Sequence, residues 1–243
     1  MDKSSKLKLE LSTFQDIWEG GYFTGYSTKR NQKGLEEYLR KNLEGKTLLE
    51  IGCGGGQWTK FISELDIFKK IICVDALSAE HNKFWNHLGD KSKNKIEYFQ
   101  VSDFNLDFLD ENSIDYVFSY DVFCHISLSG IEEYLKNLYS KCSDNAKLLI
   151  MYADPKKYLQ SEPENRRHVI RYLPNQKIIY KLSNNKLIQD ALRDSDGTPS
   201  PGRWYWVGME SFINICKEAN YNILEKDINI DKTNPITLFA KSV

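Results

Sequence analysis

The motif Glu-Ile-Gly-Cys-Gly-Gly-Gly, residues 50–56, has the residue types and the spacing of a turn that can hold a cofactor. Its glycines permit positive φ angles and let the backbone come close to a ligand. When such a turn joins a buried strand to a helix, backbone N–H groups can bind a polar cofactor group. A dinucleotide-binding G-x-G-x-x-G pattern does not fit, because Gln57 or Thr59 stands where its last glycine is required. A glycine-rich turn without a ligand is the alternative.

Polar side chains also stand where other predicted strands end. The apolar run Lys70–Asp75 predicts a strand buried on both faces. Its last residue, Asp75, follows the glycines by about 20 residues, a spacing at which an acidic side chain can accept the ribose hydroxyls of an adenosine. A cap for the following helix is the alternative role of Asp75. Ligands of open α/β sheets bind beyond the carboxyl ends of the strands. The side chains at predicted strand ends are therefore expected to border one site: Glu50, Asp75, Asp103, His125 and Tyr152.

Strands and helices alternate along the chain, which predicts an α/β domain. The predicted strands are 48–51, 70–75, 95–101, 113–120, 147–152, 221–230 and 236–243. The predicted helices are 11–18, 31–43, 58–65, 79–88, 128–142 and 208–220. Between the first two helices, glycines alternate with the aromatic residues Tyr22, Phe23 and Tyr26. That segment either closes over a ligand as a lid or forms a surface loop anchored by its rings.

Size and composition restrict the class of protein. The 243 residues suffice for one α/β domain with an additional segment. With 33 Lys and Arg against 34 Asp and Glu, the net charge is −1, so we expect no large basic surface for nucleic acid. The beginning of the chain is polar and basic, and we expect neither a signal peptide nor a membrane span. Five cysteines without a C-x-x-C pair favour buried thiols in a reducing, cytoplasmic compartment.

Residues 155–206 interrupt the alternation of strands and helices. Short helices are predicted at 164–172 and 185–193. The segment is rich in arginine, whose guanidinium group binds phosphate through two hydrogen bonds at once, and its aromatic run 204–206 can stack on a sugar or a base. We interpret it as an acceptor-binding cap rather than a second domain. Solvated helix faces are the alternative for each arginine, and packing in the core is the alternative for the aromatic run.

The glycine motif with Glu50 resembles the first motif of the class I S-adenosylmethionine-dependent methyltransferases. Within that class, the Gly-Gly-Gly-x-Trp element ending at Trp58 and the Phe-Ser-x-Asp-x-Phe-x-His element, residues 118–125, resemble small-molecule O-methyltransferases of polysaccharide and sugar biosynthesis. The resemblance covers residues 47–152 and returns at the carboxyl end. It implies an α/β, Rossmann-like fold whose seven-stranded, mostly parallel sheet carries an antiparallel edge hairpin. It also implies S-adenosylmethionine as the cofactor.

On this interpretation, residues 1–243 form a single methyltransferase domain in four parts. They are an N-terminal helical lid segment (1–45), a cofactor-binding core (46–154), an acceptor-binding insertion after the fifth strand (155–206), and a C-terminal helix with strands (207–243). The expected partner is a small-molecule acceptor, with no nucleic acid, membrane or metal ion.

The resemblance also implies the cofactor contacts. Asp103 and Phe104 fit the positions that contact the adenine amino group and pack on the adenine ring, and a plain turn is the alternative role of Asp103. The predicted cofactor-binding set is Glu50, Gly52, Cys53, Gly54, Gly56, Trp58, Asp75, Ala76, Ser102, Asp103, Phe104 and Tyr120. The predicted acceptor-binding set is Tyr22, Tyr26, Tyr152, Arg166, Arg167, His168, Arg203 and Tyr205.

Methyl transfer to an alcohol requires a group that removes the hydroxyl proton, and a positioned general base contributes typically 10²–10⁴-fold. His125 is the histidine predicted at the cofactor end of the sheet, and a histidine can act as a base near neutral pH. Asp121 can orient His125 or share the proton. Packing against the cofactor, or capping the next helix, is the alternative role of His125. The other candidate bases are His168, Tyr152 and Tyr205.

Other functions stay open from the sequence. Transfer to a nitrogen or to a phosphate-type oxygen does not strictly need His125. A catalytically inactive cofactor-binding subunit of a larger enzyme would carry the same glycine motif. An NAD-dependent oxidoreductase is a further alternative, disfavoured by the glycine spacing.

Overall fold

The computed structural model describes residues 26–89, 94–161 and 205–242. At its centre is a seven-stranded sheet with the strand order β3-β2-β1-β4-β5-β7-β6. The strands are β1 (Thr47–Ile51), β2 (Lys70–Asp75), β3 (Ile96–Gln100), β4 (Ile114–Ser119), β5 (Cys142–Met151), β6 (Tyr221–Glu225) and β7 (Ile236–Lys241).

Strands β1 to β5 are parallel, and β7 runs antiparallel to both of its neighbours, β5 and β6. β1 lies between β2 and β4. The chain places β2 and β3 on one side of β1, and then β4 and β5 on its other side. The carboxyl ends of β1 and β4 therefore flank a switch point, where open α/β sheets bind their ligands. The predicted seven-stranded, mostly parallel sheet with an antiparallel edge pair is confirmed.

Helices cover both faces of the sheet. They are α1 (Tyr26–Asn42), α2 (Gln57–Glu64), α3 (Phe84–Leu88), α4 (Leu128–Lys141), α5 (Pro155–Gln160) and α6 (Met209–Glu218), with a 3-10 helix at Phe123–His125. None of the helices in the described ranges has both the length and the apolar character needed to cross a membrane.

Neighbouring strand residues face two different cores, which explains why the strands read as continuous apolar runs. Leu49 packs in a core that includes Leu135 of α4 and Phe212 of α6. Leu48, one residue earlier, packs in a second core that includes Leu39 of α1 and Ile62 of α2. Full burial of one such leucine contributes about 1.5–3 kcal/mol to stability. The two cores hold the strand ends, and hence the site, in fixed positions.

The predicted helix 79–88 is wrong in its first half, because the structure has a helix only at Phe84–Leu88. Two features keep the preceding residues in turns. The Ser78 hydroxyl accepts a hydrogen bond from the His81 N–H at 3.1 Å, and Lys83 adopts a left-handed φ of 51°. His81 therefore lies in a turn rather than on the surface helix expected from the sequence.

The bounds of other elements also differ from the sequence-based ones. The first described helix starts at Tyr26 rather than at residue 31, and β5 begins at Cys142, directly after α4. β6 ends at Glu225 instead of continuing to residue 230, because a turn follows in which the Asn229 N–H donates to Asp227 at 3.0 Å.

Helix α5, at the start of the predicted insertion, was not expected from the sequence. Asp154 caps it by accepting from the Lys157 N–H, and Pro155 occupies a first-turn position, where proline is favoured. The Asp-Pro pair was the local signal for this helix. The predicted helices 11–18, 164–172 and 185–193 lie outside the described residues.

Candidate functional site

Gly52 begins the turn after β1 and joins three parts of the molecule. Its φ is 73°, and its N–H donates to the Val74 carbonyl oxygen of β2 at 2.7 Å. A Cβ at this position would lie 2.1 Å from Cγ2 of Val122, in the segment after β4. Both the backbone conformation and the contact therefore require glycine here. The turn is fastened to β2 and to the segment that carries the predicted catalytic residues.

Gly54 faces open space at the middle of the turn. Its φ is 50°, and the position of a Cβ on it meets no heavy atom within 4 Å apart from its chain neighbours. Its N–H donates to Oδ2 of Asp75 at 2.8 Å. Bare backbone beside a carboxylate fits an adenosine-bearing cofactor, because the ligand can approach the chain closely and its hydroxyls meet an acceptor.

Gly56 ends the turn and precedes α2. Its φ is 79°, and a Cβ would lie 2.3 Å from Cδ1 of Leu88 and 2.9 Å from Cε2 of Phe84. Helix α3 thus packs directly against the turn, and the last glycine of the motif makes this contact possible.

Asp75 ends β2 and fixes the loop around it. Besides the bond from Gly54, its Oδ1 accepts from the Leu77 N–H at 2.9 Å. Burial raises the pKa of Asp75 above its usual value, although the two backbone N–H groups lower it in part. A carboxylate offers about four lone-pair positions, so both oxygens keep the capacity to accept hydroxyl protons.

Glu50 lies beneath the turn, where its side chain is 2% exposed. Its Oε2 accepts from the Thr59 hydroxyl at 2.6 Å, which ties β1 to α2. Burial raises the pKa of Glu50 to about 8; the bond from Thr59 opposes this shift, and the charge of Asp75 adds to it. The carboxyl therefore links the two elements that flank the turn, which is a structural role.

The buried Glu50 carboxyl is expected to make the protein less stable as the pH rises from 4.5 to about 8. Because its folded pKa exceeds its unfolded pKa, the folded state keeps a proton that the unfolded state releases in this window. Glu50→Gln removes this titration. The variant should match the wild type near pH 4.5 and exceed its free energy of unfolding near pH 8.5 by on the order of 2–4 kcal/mol.

Urea unfolding at the two pH values measures this difference. Glu64→Gln, at an exposed position of α2, is the matched control and should change neither value. Equal pH dependence of wild type and Glu50→Gln would contradict the buried, protonated carboxyl.

The predicted adenine contacts lie on the loop after β3. Ser102 is exposed, and the half-buried Asp103 accepts from the Asn105 N–H at 3.1 Å, forming the turn that was the alternative role of Asp103. Phe104 is 2% exposed, and its ring centroid lies 4.9 Å from that of Tyr134. Because the Phe104 side chain lies in the core, its environment argues against the predicted packing on adenine.

Cys53 lies within the glycine turn, and Ala76 follows Asp75, whose side chain the turn contacts. Cys53 is buried, its N–H approaches the Val74 carbonyl oxygen at 3.4 Å, and its thiol contacts that of Cys73. Ala76 is half-buried, and its carbonyl oxygen accepts from the Gln100 side chain at 3.1 Å.

Trp58 and Tyr120 were predicted to contact the cofactor, and the structure places both side chains in a core. Their ring centroids lie 5.7 Å apart. The Tyr120 hydroxyl donates to Oδ2 of Asp231 at 2.9 Å and accepts from the Asn31 side chain at 3.1 Å. These contacts argue for structural roles. Asp231 and Asn31 were missed by the sequence analysis, because only the fold brings the chain before β7 and helix α1 to the end of β4.

The chain turns sharply after β4, where Asp121 has a φ of 63°, and the 3-10 helix Phe123–His125 follows. Single oxygen, sulfur and nitrogen atoms of Asp121, Cys124 and His125 all lie within 4.8 Å of one another. The Cys124 thiol donates to Oδ1 of Asp121 at 3.6 Å. The fold thus brings together the two predicted catalytic residues and adds Cys124, which the sequence analysis did not select.

Two residues of the predicted acceptor set lie in the interior. Tyr152 is fully buried; its hydroxyl is 3.0 Å from that of Thr237, and its ring stacks on Phe212 at 3.9 Å. This environment argues against both an acceptor contact and a role as base. Tyr205 is 3% exposed, and its N–H donates to the Cys124 carbonyl oxygen at 2.8 Å, so it lies next to the 3-10 helix. The rest of the set lies outside the described side chains: Tyr22, Tyr26, Arg166, Arg167, His168 and Arg203.

Comparison with known proteins decides the family. A family model described as a methyltransferase domain matches residues 23–226. The chain belongs to this family. No curated protein sequence matches the chain. Together with the geometry of the glycine turn, the family match gives S-adenosylmethionine as the cofactor of this methyltransferase.

Solved structures share the fold of this methyltransferase at low sequence identity. An S-adenosylmethionine-dependent methyltransferase from Aquifex aeolicus is 16% identical over the whole of both chains, with a TM-score of 0.55. One from Mesorhizobium loti is 10% identical, with 87% of this chain and 98% of that chain covered and a TM-score of 0.58. A 1,6-didemethyltoxoflavin-N1-methyltransferase from Burkholderia thailandensis, solved with S-adenosylhomocysteine, is 11% identical, with coverages of 100% and 92% and a TM-score of 0.62.

Asp75→Ala is expected to weaken the binding of S-adenosylhomocysteine by about 1–3 kcal/mol, because the ribose hydroxyls lose a charged acceptor. Isothermal titration calorimetry measures the affinity, and Asp107→Ala, at an exposed position on the loop after β3, is the control. Undiminished affinity of Asp75→Ala would contradict the assignment of the ribose to this carboxylate.

Proposed function

We propose that this methyltransferase transfers the methyl group of S-adenosylmethionine to an oxygen of a small metabolite. The observation that carries the proposal is the pairing of His125 with Asp121, within 4.8 Å, directly beyond β4. Val122, between them in sequence, packs against Gly52 of the cofactor turn. A group able to remove a proton therefore lies close to the glycine turn that we propose to hold the cofactor, as transfer to an alcohol requires.

In the proposed reaction, His125 acts as the general base and Asp121 positions it. S-adenosylmethionine supplies an electrophilic methyl group whose leaving group departs neutral, so no acid is needed. His125 accepts the proton of the acceptor hydroxyl as the oxygen–carbon bond forms. Asp121 orients the imidazole and stabilises its positive charge. The cores that fix β1 and β4 hold the two reactants in line, which can contribute several kcal/mol to lowering the barrier.

The class of acceptor that we propose is a sugar, a nucleotide-sugar or a phosphorylated metabolite of surface-polysaccharide biosynthesis in the cytoplasm. Two sequence features support it: the resemblance of residues 118–125 to sugar O-methyltransferases, and the arginines of the 155–206 segment. Transfer to nitrogen is a second candidate, favoured by the N1-methyltransferase among the structural relatives.

A panel of sugars, nucleotide-sugars, phosphorylated metabolites and small amines tests the proposal. Formation of S-adenosylhomocysteine identifies an acceptor, and NMR of the product shows whether oxygen or nitrogen carries the methyl group. Turnover confined to amines would overturn the proposed O-methylation.

Replacing Arg166 and Arg167 together with alanine is expected to raise the acceptor KM at least tenfold, since two cations able to bind an acceptor phosphate are lost. The affinity for S-adenosylmethionine should stay unchanged. Steady-state kinetics with the acceptor identified by the panel measure the KM. Lys156→Ala, which removes an exposed cation from the same segment, is the control and should leave the KM unchanged. A parallel loss of cofactor affinity would indicate a folding role for the arginines.

A further inference from the structure

Three chemically different ligand groups meet in one turn after β4. They are a carboxylate, a thiol and an imidazole, from Asp121, Cys124 and His125. All three come from five consecutive residues, so their positions depend on one local structure. The 3-10 helix that carries two of them is held by two backbone bonds, from the His125 N–H to Val122 at 2.8 Å and from the Tyr205 N–H to Cys124 at 2.8 Å.

The separation of two of these atoms matches a metal coordination geometry. Zinc binds sulfur at about 2.3 Å and carboxylate oxygen at about 2.0 Å, and at a tetrahedral angle these ligand atoms are about 3.5 Å apart. Sγ of Cys124 and Oδ1 of Asp121 are 3.6 Å apart. The histidine nitrogen lies within 4.8 Å of both, which is close enough for the three atoms to bind one ion.

The ligand set also selects the kind of metal. Mg²⁺ and Ca²⁺ prefer oxygen ligands, whereas a thiolate and an imidazole favour Zn²⁺ and its transition-metal neighbours. Three protein ligands leave one position of a tetrahedral ion open, as in sites that exchange a bound molecule.

We propose that Asp121, Cys124 and His125 form a binding site for a divalent transition metal ion of the zinc type, and that occupancy by this ion inhibits methyl transfer. The site itself rests on the side-chain geometry, and the inhibition rests on the proposed function of His125. On binding, the Cys124 S–H bond breaks, the sulfur–metal bond forms and the proton passes to solvent. The metal occupies the lone pair with which His125 would accept the acceptor's proton. No electron transfer takes place.

Cobalt provides a direct test, because Co²⁺ bound to a thiolate gives a near-ultraviolet charge-transfer band. The full-length protein, freed of metal with a chelator and then titrated with Co²⁺, should develop this band at one equivalent, and Zn²⁺ should abolish it. Cys124→Ser and Cys124→Ala should lose the band, while Cys216→Ser, at a buried cysteine of α6, should keep it. Absence of the band in the wild-type protein would overturn the site.

Calorimetry with Zn²⁺ gives the affinity. His125→Ala should weaken it by roughly 100-fold or more, since loss of an outer-shell partner already costs 10–100-fold. Unchanged affinity in both His125→Ala and Cys124→Ala would mean that the ion binds elsewhere, and would also overturn the site.

Activity separates the two proposals. Once an acceptor is known, saturating Zn²⁺ should reduce the wild-type rate at least tenfold relative to the wild-type rate in chelator. The rate of Cys124→Ser should be the same with Zn²⁺ as in chelator. Activation by Zn²⁺ would overturn the inhibitory role. A cobalt band without turnover of any acceptor would leave the metal site standing and count against the proposed O-methylation.

Discussion

His125→Ala is expected to lower kcat about 10²–10⁴-fold, the usual contribution of a positioned general base. The affinity for S-adenosylmethionine should stay close to that of the wild type, because the predicted cofactor contacts at Asp75 and Gly54 are untouched. The backbone bond from residue 125 to Val122 also survives the substitution. Single-turnover kinetics in the presence of a chelator measure the chemical step without interference from a bound metal.

Two variants sharpen the test. His125→Asn retains a polar side chain of similar size but cannot accept a proton at neutral pH, so it should lose nearly as much rate as His125→Ala. His87→Ala, on helix α3, removes a histidine that has no part in the proposed reaction and should keep the wild-type rate. Full kcat in His125→Ala would show that transfer needs no base at this position and would favour a nitrogen acceptor. Loss of cofactor affinity with kcat retained would give His125 a structural role.

The sheet could be predicted from the sequence because its signals are local. The apolar runs that end in Ile51 and Asp75 are buried on both faces, so their length and composition give their bounds directly. The early part of the predicted helix 79–88 has a helical pattern as well. There, the hydrogen bond to the Ser78 hydroxyl and the left-handed φ of Lys83 replace helical structure by turns. The spacing of apolar residues contains no information about such local hydrogen bonds.

The geometry of the glycine turn was also predictable, since its glycines and Asp75 are joined by spacing within one strand-turn-helix-strand unit. The surroundings of individual side chains were less predictable. Phe104 and Tyr120 stand at sequence positions that suit a cofactor contact, yet tertiary packing buries both side chains in a core. The bond from Tyr120 to Asp231 joins residues 111 positions apart. Only the completed fold brings such partners together, so no sequence spacing could reveal them.

Gly54→Ala is expected to weaken the binding of S-adenosylhomocysteine about 10–100-fold while leaving the protein folded. The added methyl group enters the open space above the turn and meets no atom of the protein. Strain from the left-handed backbone, where φ is 50°, costs roughly 1–2 kcal/mol of stability. If the affinity falls by more than this loss of folding stability explains, the ligand occupies the space in front of Gly54.

Gly89→Ala is the matched control for this effect. Gly89 also has a positive φ, 75°, and open space where its Cβ would stand, but it follows α3 instead of lying in the turn. Gly89→Ala should lose at least as much thermal stability as Gly54→Ala, because its φ of 75° and ψ of 170° strongly favour glycine, and only Gly54→Ala should lose affinity in calorimetric titration. Equal affinities of the two variants would contradict the placement of the cofactor over Gly54. A loss in both would mean that strain in the fold, rather than contact with the ligand, controls binding, because the two positions share a positive φ and open surroundings.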